Sequence, residues 1–154
     1  SDGARLASGS RDGTVILWDL WRGETAKILL KLTGHNSAVE SLAFNVEGNR
    51  LASGSEERKI ILWDVNTGQA LGGTFTGAAS SVTSLAFTMD GTQLYSGDAR
   101  GQMMIWDMSI DSWLNLACQA ASRNLTQSEW QRYFPDQDYR STCEENEVKA
   151  LSQN

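Results

Sequence analysis

Proline occurs once in these 154 residues, histidine once and cysteine twice. The lone His35 leaves no second imidazole for a histidine-bearing metal site and none to spare for a catalytic triad. Cys118 and Cys143 show no metal-type spacing. Such sparse use predicts reduced thiols in a cytosolic chain, with a staple between them left open. Basic residues are short too, 13 against 19 acidic ones, for a net charge of −6. That balance argues against unaided binding to a nucleic-acid backbone or an anionic membrane surface. The excess is spread out, with 12 acids to 9 bases up to residue 108 and 7 to 4 beyond. No apolar run approaches bilayer length and no leader resembles a signal peptide, so the reading is cytoplasmic, with no membrane partner.

Glycine, by contrast, is plentiful at 14 residues, which predicts many tight turns. Several stand in one repeated pattern. Leu6-Ala7-Ser8-Gly9-Ser10 leads to Ile16-Leu17-Trp18-Asp19. Leu51-Ala52-Ser53-Gly54-Ser55 leads to Ile61-Leu62-Trp63-Asp64, and Leu94-Tyr95-Ser96-Gly97-Asp98 to Met104-Ile105-Trp106-Asp107. The tryptophans are 45 and then 43 residues apart. A period in the forties closed by Trp-Asp implies radially repeated β-structure.

The middle unit shows the strands best. Val39 to Phe44, Arg50 to Ser55 and Lys59 to Asp64 are short apolar-rich runs, separated by turns at Glu47-Gly48-Asn49 and Glu56-Glu57-Arg58. A looser run from Gln69 to Phe75 supplies a fourth strand. The third unit repeats this with Val82 to Phe87, Gln93 to Gly97 and Gln102 to Asp107. The first unit runs Arg5 to Ser10, Thr14 to Asp19 and Ala26 to Leu32, starting part-way through a sheet. Sheets of this kind cannot bury both faces alone. The chain therefore reads as the C-terminal piece of a longer protein; the alternative is a short subunit whose copies close a ring together.

Gly34-His35, Val39-x-Ser41-Leu42-Ala43-Phe44, Gly48, Leu51 to Ser55 and Trp63-Asp64 resemble the WD-repeat (WD40) β-propeller family. The resemblance covers about residues 1–108. It implies an all-β fold: a partial propeller of about two and a half four-stranded antiparallel blades, followed by a short α-helical segment. The parts would be a partial blade over 1–33, a blade over 34–76 and a last blade over 77–108 lacking its outer strand. A closing segment over 109–143 and a polar, disordered tail over 144–154 would follow. In that family His, Ser, Asp and Trp form a hydrogen-bond chain within a blade. By position the middle blade offers His35, Ser53, Glu57 and Trp63, with Glu57 one methylene longer than the usual Asp. The first offers Ser8, Asp12 and Trp18. The last offers Ser96 and Trp106, with Ala78 at the His position and Arg100 at the Asp position.

Beyond Asp107 the period becomes helical, with Trp113, Leu114, Ala117, Cys118 and Ala121 on one stripe. Thr126 and Glu129 form a capping box for a second, short helix carrying Trp130 and Tyr133 and ended by Pro135. Ala117-Cys118, Arg123 to Thr126, Glu129-Trp130, Tyr133, Tyr139-Arg140 and Thr142-Cys143 resemble the segment closing many bacterial, notably cyanobacterial-type, WD-repeat proteins. That resemblance implies an upstream signalling module: a signal-transduction NTPase, or a caspase-like, kinase or TIR domain.

Chemistry is scarce. The glycine-rich stretches Gly9 to Gly13 and Gly68 to Gly73 lack the Lys-Ser/Thr ending of a phosphate loop and read as turns. Cys118 falls on an apolar stripe without a base, and Asn124-Leu125-Thr126 reads as a helix start rather than a glycosylation site. Trp21 lies outside the repeat, either a surface residue or a contact residue. No catalytic, cofactor or metal site is expected. The surface that remains is the face where one blade's outer strand returns to the next blade's inner strand. Its candidate partner-binding residues are Arg11, Ser37, Glu40, Glu56, Ser81 and Thr83. The function expected is a non-enzymatic scaffold or sensor for a protein partner; the alternative is the regulatory end of a parent NTPase, protease or kinase.

Overall fold

The computed structural model describes residues 4–20, 26–109, 124–133 and 138–139. It divides into two compact units, Ser1–Asp107 and Met108–Asn154. The first is all β. Strands β1 (Arg5–Gly9), β2 (Thr14–Asp19) and β3 (Lys27–Thr33) form the first sheet. Strands β4 (Val39–Phe44), β5 (Arg50–Ser55), β6 (Lys59–Asp64) and β7 (Phe75–Thr76) form the second, and β8 (Val82–Phe87), β9 (Gln93–Asp98) and β10 (Met103–Asp107) the third. All neighbours pair antiparallel.

One strand is shorter than its sequence suggests. The fourth strand of the middle sheet, expected over Gln69 to Phe75, is only Phe75–Thr76, plus an isolated bridge between Trp63 and Ala70. Gly72 takes a left-handed backbone between the two contacts, which interrupts the ladder.

Burial shows how the sheets stack. Directly opposed residues of antiparallel strands share a face. Leu51 pairs with Trp63 and Ser53 with Ile61, so these four line one face of the middle sheet, while Ala52, Gly54, Ile60 and Leu62 line the other. From Leu51 to Ser55 and Ile60 to Asp64 every residue is buried, so this sheet is covered on both sides. The first face packs on Val15, Leu17 and Leu32 of the first sheet, with Ala7, Leu30 and Phe44 at the margin. Toward the third sheet, Phe75 meets Trp106 edge-to-face at 5.4 Å. The outer sheets bury alternate residues, as strands covered on one side do: β2 and β9 alternate half-buried with buried.

The strand register is broken once in each sheet by a bulge. In β3 the extra residue is Leu29, in β4 Glu40 and in β8 Thr83. The β1–β2 turn needs glycine: a Cβ on Gly13, at φ 83°, would lie 2.5 Å from the His35 carbonyl oxygen. The third sheet has Gly101 at the same place, but the second has Arg58, a non-glycine residue at φ 65°. A left-handed L-residue is strained, and glycine relieves this at the cost of more freedom in the unfolded chain. Arg58→Gly is therefore expected to stabilise the protein by about 0.5–1 kcal/mol, read as a higher urea midpoint; a lower midpoint would contradict it.

In the second unit helix α1 spans Gln127–Tyr133. Thr126 Oγ1 accepts the Glu129 N–H, and the Glu129 carboxylate accepts the Thr126 N–H at 2.8 Å, a reciprocal capping box. Trp130 is buried, with its ring 5.8 Å from that of Tyr139, whose hydroxyl donates to the Leu125 carbonyl. The expected helix around Trp113 to Ala121, Trp21, both cysteines, Pro135 and the polar tail lie outside the described residues.

Candidate functional site

A buried polar chain ties the middle sheet to the loop that enters it. Trp63 Nε1 donates to Ser53 Oγ at 2.8 Å, and the same hydroxyl lies 2.7 Å from His35 Nε2. His35 Nδ1 is 3.0 Å from Glu57 Oε1. A carboxylate only accepts, so Nδ1 carries the proton. Glu57 spans its extra methylene without losing the contact: Oε1 also accepts the Asn36 N–H, while Oε2 takes the Lys59 ammonium at 3.0 Å. The longer side chain thus links strand turn, entry loop and β6. With both ring nitrogens engaged and the ring buried, His35 is held as a strut rather than poised as a base.

The outer sheets hold less of this chain. Trp18 donates to Ser8 at 2.8 Å, but Asp12 turns to its own turn, accepting from the Thr14 backbone and hydroxyl. Trp106 donates to Ser96 at 2.8 Å; Ala78 offers no imidazole, and the Arg100 N–H goes to Asp98. The other Asp98 oxygen, Oδ2, is buried with no hydrogen-bond partner. Serine occupies the same position in the other sheets, as Ser10 and Ser55, so aspartate introduces an oxygen the repeat has no donor for.

The charge on Glu57 links this network to pH. Burial alone would raise its pKa, but hydrogen bonds from Lys59, Asn36 and His35 outweigh that and hold it at about 2 against an ordinary 4.5. The folded protein therefore binds this proton less readily than the unfolded chain. The stabilisation is whole above pH 4.5 and is lost as pH falls toward 2. Asp12, also near 2 through its Thr14 bonds, acts in the same window. Glu57→Gln is expected to flatten the melting-midpoint profile there, leaving the slope of Asp12 and of Asp90, which its Thr88 and Thr92 bonds also hold low; a profile of unchanged steepness would contradict this.

The turns and loops at this end of the sheets form one rim. Val39 N–H donates to the Ser10 carbonyl, Glu56 N–H to Ala38 and Ala99 N–H to Ser81. Arg11, Glu40, Glu56 and Thr83 are exposed on it, and Ser37 and Ser81 half-buried. Ser37 Oγ donates to the Glu56 carboxylate at 3.1 Å, which presets that acid. Glu40 and Thr83 are the bulge residues of β4 and β8, one repeat apart. A bulge re-aims a side chain that strict alternation would point elsewhere, and composition carries no mark of it. Among the described residues no three or more His, Cys, Asp or Glu are grouped to hold a metal ion. No helix among them is long and apolar enough to cross a membrane.

This repeat geometry agrees with the comparisons. The WD domain, G-beta repeat family model matches residues 1–19, 26–64 and 70–107. The chain belongs to the WD-repeat family. Two solved structures, of U3-55K and of the RRP9 WD40 repeats, are each similar to it at 30% identity and a TM-score of 0.63. Each match covers 70% of this chain, which spans about a third (33%) of the other chain's length. No curated protein matches it significantly. The three matched repeats are offset from the sheets by one strand: the second takes in β3 of the first sheet and the third takes in β7 of the second, while the Trp-Asp pairs close β2, β6 and β10.

Proposed function

We propose that this chain is a non-enzymatic arc of a larger WD-repeat propeller and presents its turn rim to a protein partner. The observation that carries the reading is rigid sameness beneath variable tips. The β1–β2, β5–β6 and β9–β10 turns share a left-handed residue, Gly13, Arg58 and Gly101, whose N–H donates to the carbonyl three residues back, yet expose Arg11, Glu56 and Ala99 at the same position. A repeated scaffold that varies only at its exposed loops is how such folds present binding surfaces. The rim mixes both charges, which suits a protein surface better than a polyanion. The likeness of the closing segment to bacterial WD-repeat signalling proteins supports an upstream signalling module and a scaffold or sensor role.

Capture experiments test this with the rim as the variable. Arg11→Glu, Glu40→Lys and Glu56→Lys together should abolish recovery of a partner. Val46→Glu with Met89→Glu, at the turns on the opposite ends of the strands, should leave it intact. Recovery unaffected by the rim variant, or lost equally in both, would overturn the assignment.

A further inference from the structure

We propose that the rim of the third sheet receives carboxylates, and that the partner meets it with an acidic segment bearing two neighbouring acids. The inference rests on the reading of the rim as a partner surface and adds the chemistry of what binds there.

The middle sheet shows what its entry loop requires. That loop aims two donors at the β5–β6 turn, the Asn36 N–H and the Ser37 hydroxyl. An acid of the turn meets each one. Glu57 Oε1 accepts the Asn36 N–H at 3.1 Å, and Glu56 Oε2 accepts the Ser37 hydroxyl, also at 3.1 Å. Two adjacent glutamates thus close the loop onto its own sheet.

The third sheet keeps the loop and loses the acids. Turn and loop stand to each other as before: the Ala99 N–H donates to Ser81 as the Glu56 N–H donates to Ala38. Val82 pairs with Asp98 as Val39 pairs with Ser55. By that register Ala79 and Ser80 stand where Asn36 and Ser37 stand, while Ala99 and Arg100 replace Glu56 and Glu57. The Ala79 N–H and the Ser80 hydroxyl remain, and no described residue accepts from either. Ala79 is exposed and Ser80 half-buried, so both can be reached.

The charge has reversed as well. Arg100 is exposed and its guanidinium has no partner among the described residues. A second arginine stands on the other flank. Gly13, the counterpart of Arg58 in the first sheet, lies against the next loop. A Cβ there would come 2.5 Å from the His35 carbonyl oxygen and 3.2 Å from that of Ser37. Arg58 holds the same place beside residues 78–80, and it too is exposed. The acids nearby are already engaged. Glu57 serves His35 and Lys59, and Glu56 serves Ser37. One Asp98 oxygen takes the Arg100 and Gln102 N–H groups and the other is buried.

The occupant follows from what was exchanged. Two neutral donors that two adjacent glutamates satisfy in one sheet are offered, in the next, beside two guanidinium groups. A carboxylate only accepts, and it matches a guanidinium fork. A nucleic-acid backbone fits less well, because it would have to run on past Glu40 and Glu56 on the same rim.

The test titrates the full chain with the blocked peptide Ser-Glu-Glu-Ser-Glu-Glu and with Ser-Gln-Gln-Ser-Gln-Gln, following the amide resonances of Ala79 and Ser80. The acidic peptide should shift both to saturation, and the glutamine peptide should not. Arg58→Gln with Arg100→Gln should weaken binding about tenfold. The melting midpoint should stay unchanged, because neither guanidinium is tied to a described residue. Ala99→Glu with Arg100→Glu rebuilds the acids of the middle sheet. That pair should move both resonances without peptide, in the direction the peptide moves them, and abolish binding. Equal shifts with the two peptides, or an affinity indifferent to the arginines, would overturn the proposal. Tighter binding of a uridine hexanucleotide at the same amides would overturn it too, making the site a phosphate reader. Any of these failures, with partner capture still dependent on Arg11, Glu40 and Glu56, removes the acidic partner and leaves the rim reading in place.

Discussion

Trp63→Ala is expected to destabilise the protein by about 3–5 kcal/mol, the usual cost of truncating a large buried aromatic. Trp63 is buried between the first and second sheets among Val15, Leu17, Leu32, Leu51, Ile61 and Val65. The chain also presses on it from Gly34, where a Cβ would come within 2.9 Å of the indole. Alanine would leave a void between two sheets and strip Ser53 of its donor. The same substitution at Trp18 should cost clearly less, because that ring is half-buried with its sheet covered on one side. Urea denaturation of both variants decides it. Equal losses would mean the middle sheet is not the core of the unit.

Ser53→Ala comes next, at about 2–4 kcal/mol, although it removes a single atom. Ser53 is fully buried and is the hub for two partners. Its loss leaves the Trp63 N–H and His35 Nε2 without a partner, each unsatisfied group costing about 1–3 kcal/mol. Ser96→Ala is the internal control, since its hydroxyl serves Trp106 and has no imidazole beside it. It should cost about half as much. In a His35→Ala background the Ser53→Ala loss should shrink, because one stranded partner has already gone. Additive losses would show that Ser53 and His35 do not act together.

Most of the architecture was legible in the sequence, because a repeat constrains each unit by the others. Val39 to Phe44, Lys59 to Asp64 and Val82 to Phe87 are strands over those same residues. The capping box at Thr126 was equally plain, since both halves of the bond are specified three residues apart. Three features were not legible, each for a physical reason. The short fourth strand depends on where Gly72 turns the chain, which its apolar neighbours do not reveal. Glu57 could be placed, but whether an extra methylene breaks or extends its link to His35 depends on Lys59 and Asn36 as second partners. The bulges at Glu40 and Thr83 depend on pairing between strands, and a single strand's composition is silent about its register. The left-handed Arg58 was the exception: alignment with Gly13 and Gly101 carried the signal in plain view.

The three indole–serine bonds also give each sheet its own optical reporter. All three indoles donate to a serine hydroxyl, but Trp63 is buried whereas Trp18 and Trp106 are half-buried, so their emission differs in hydration. If sheets melt from the ends of the arc inward, Trp18 and Trp106 shift to the red before Trp63 does. Proteins in which one of these three is the sole tryptophan left of the six would then record the order in which the arc comes apart.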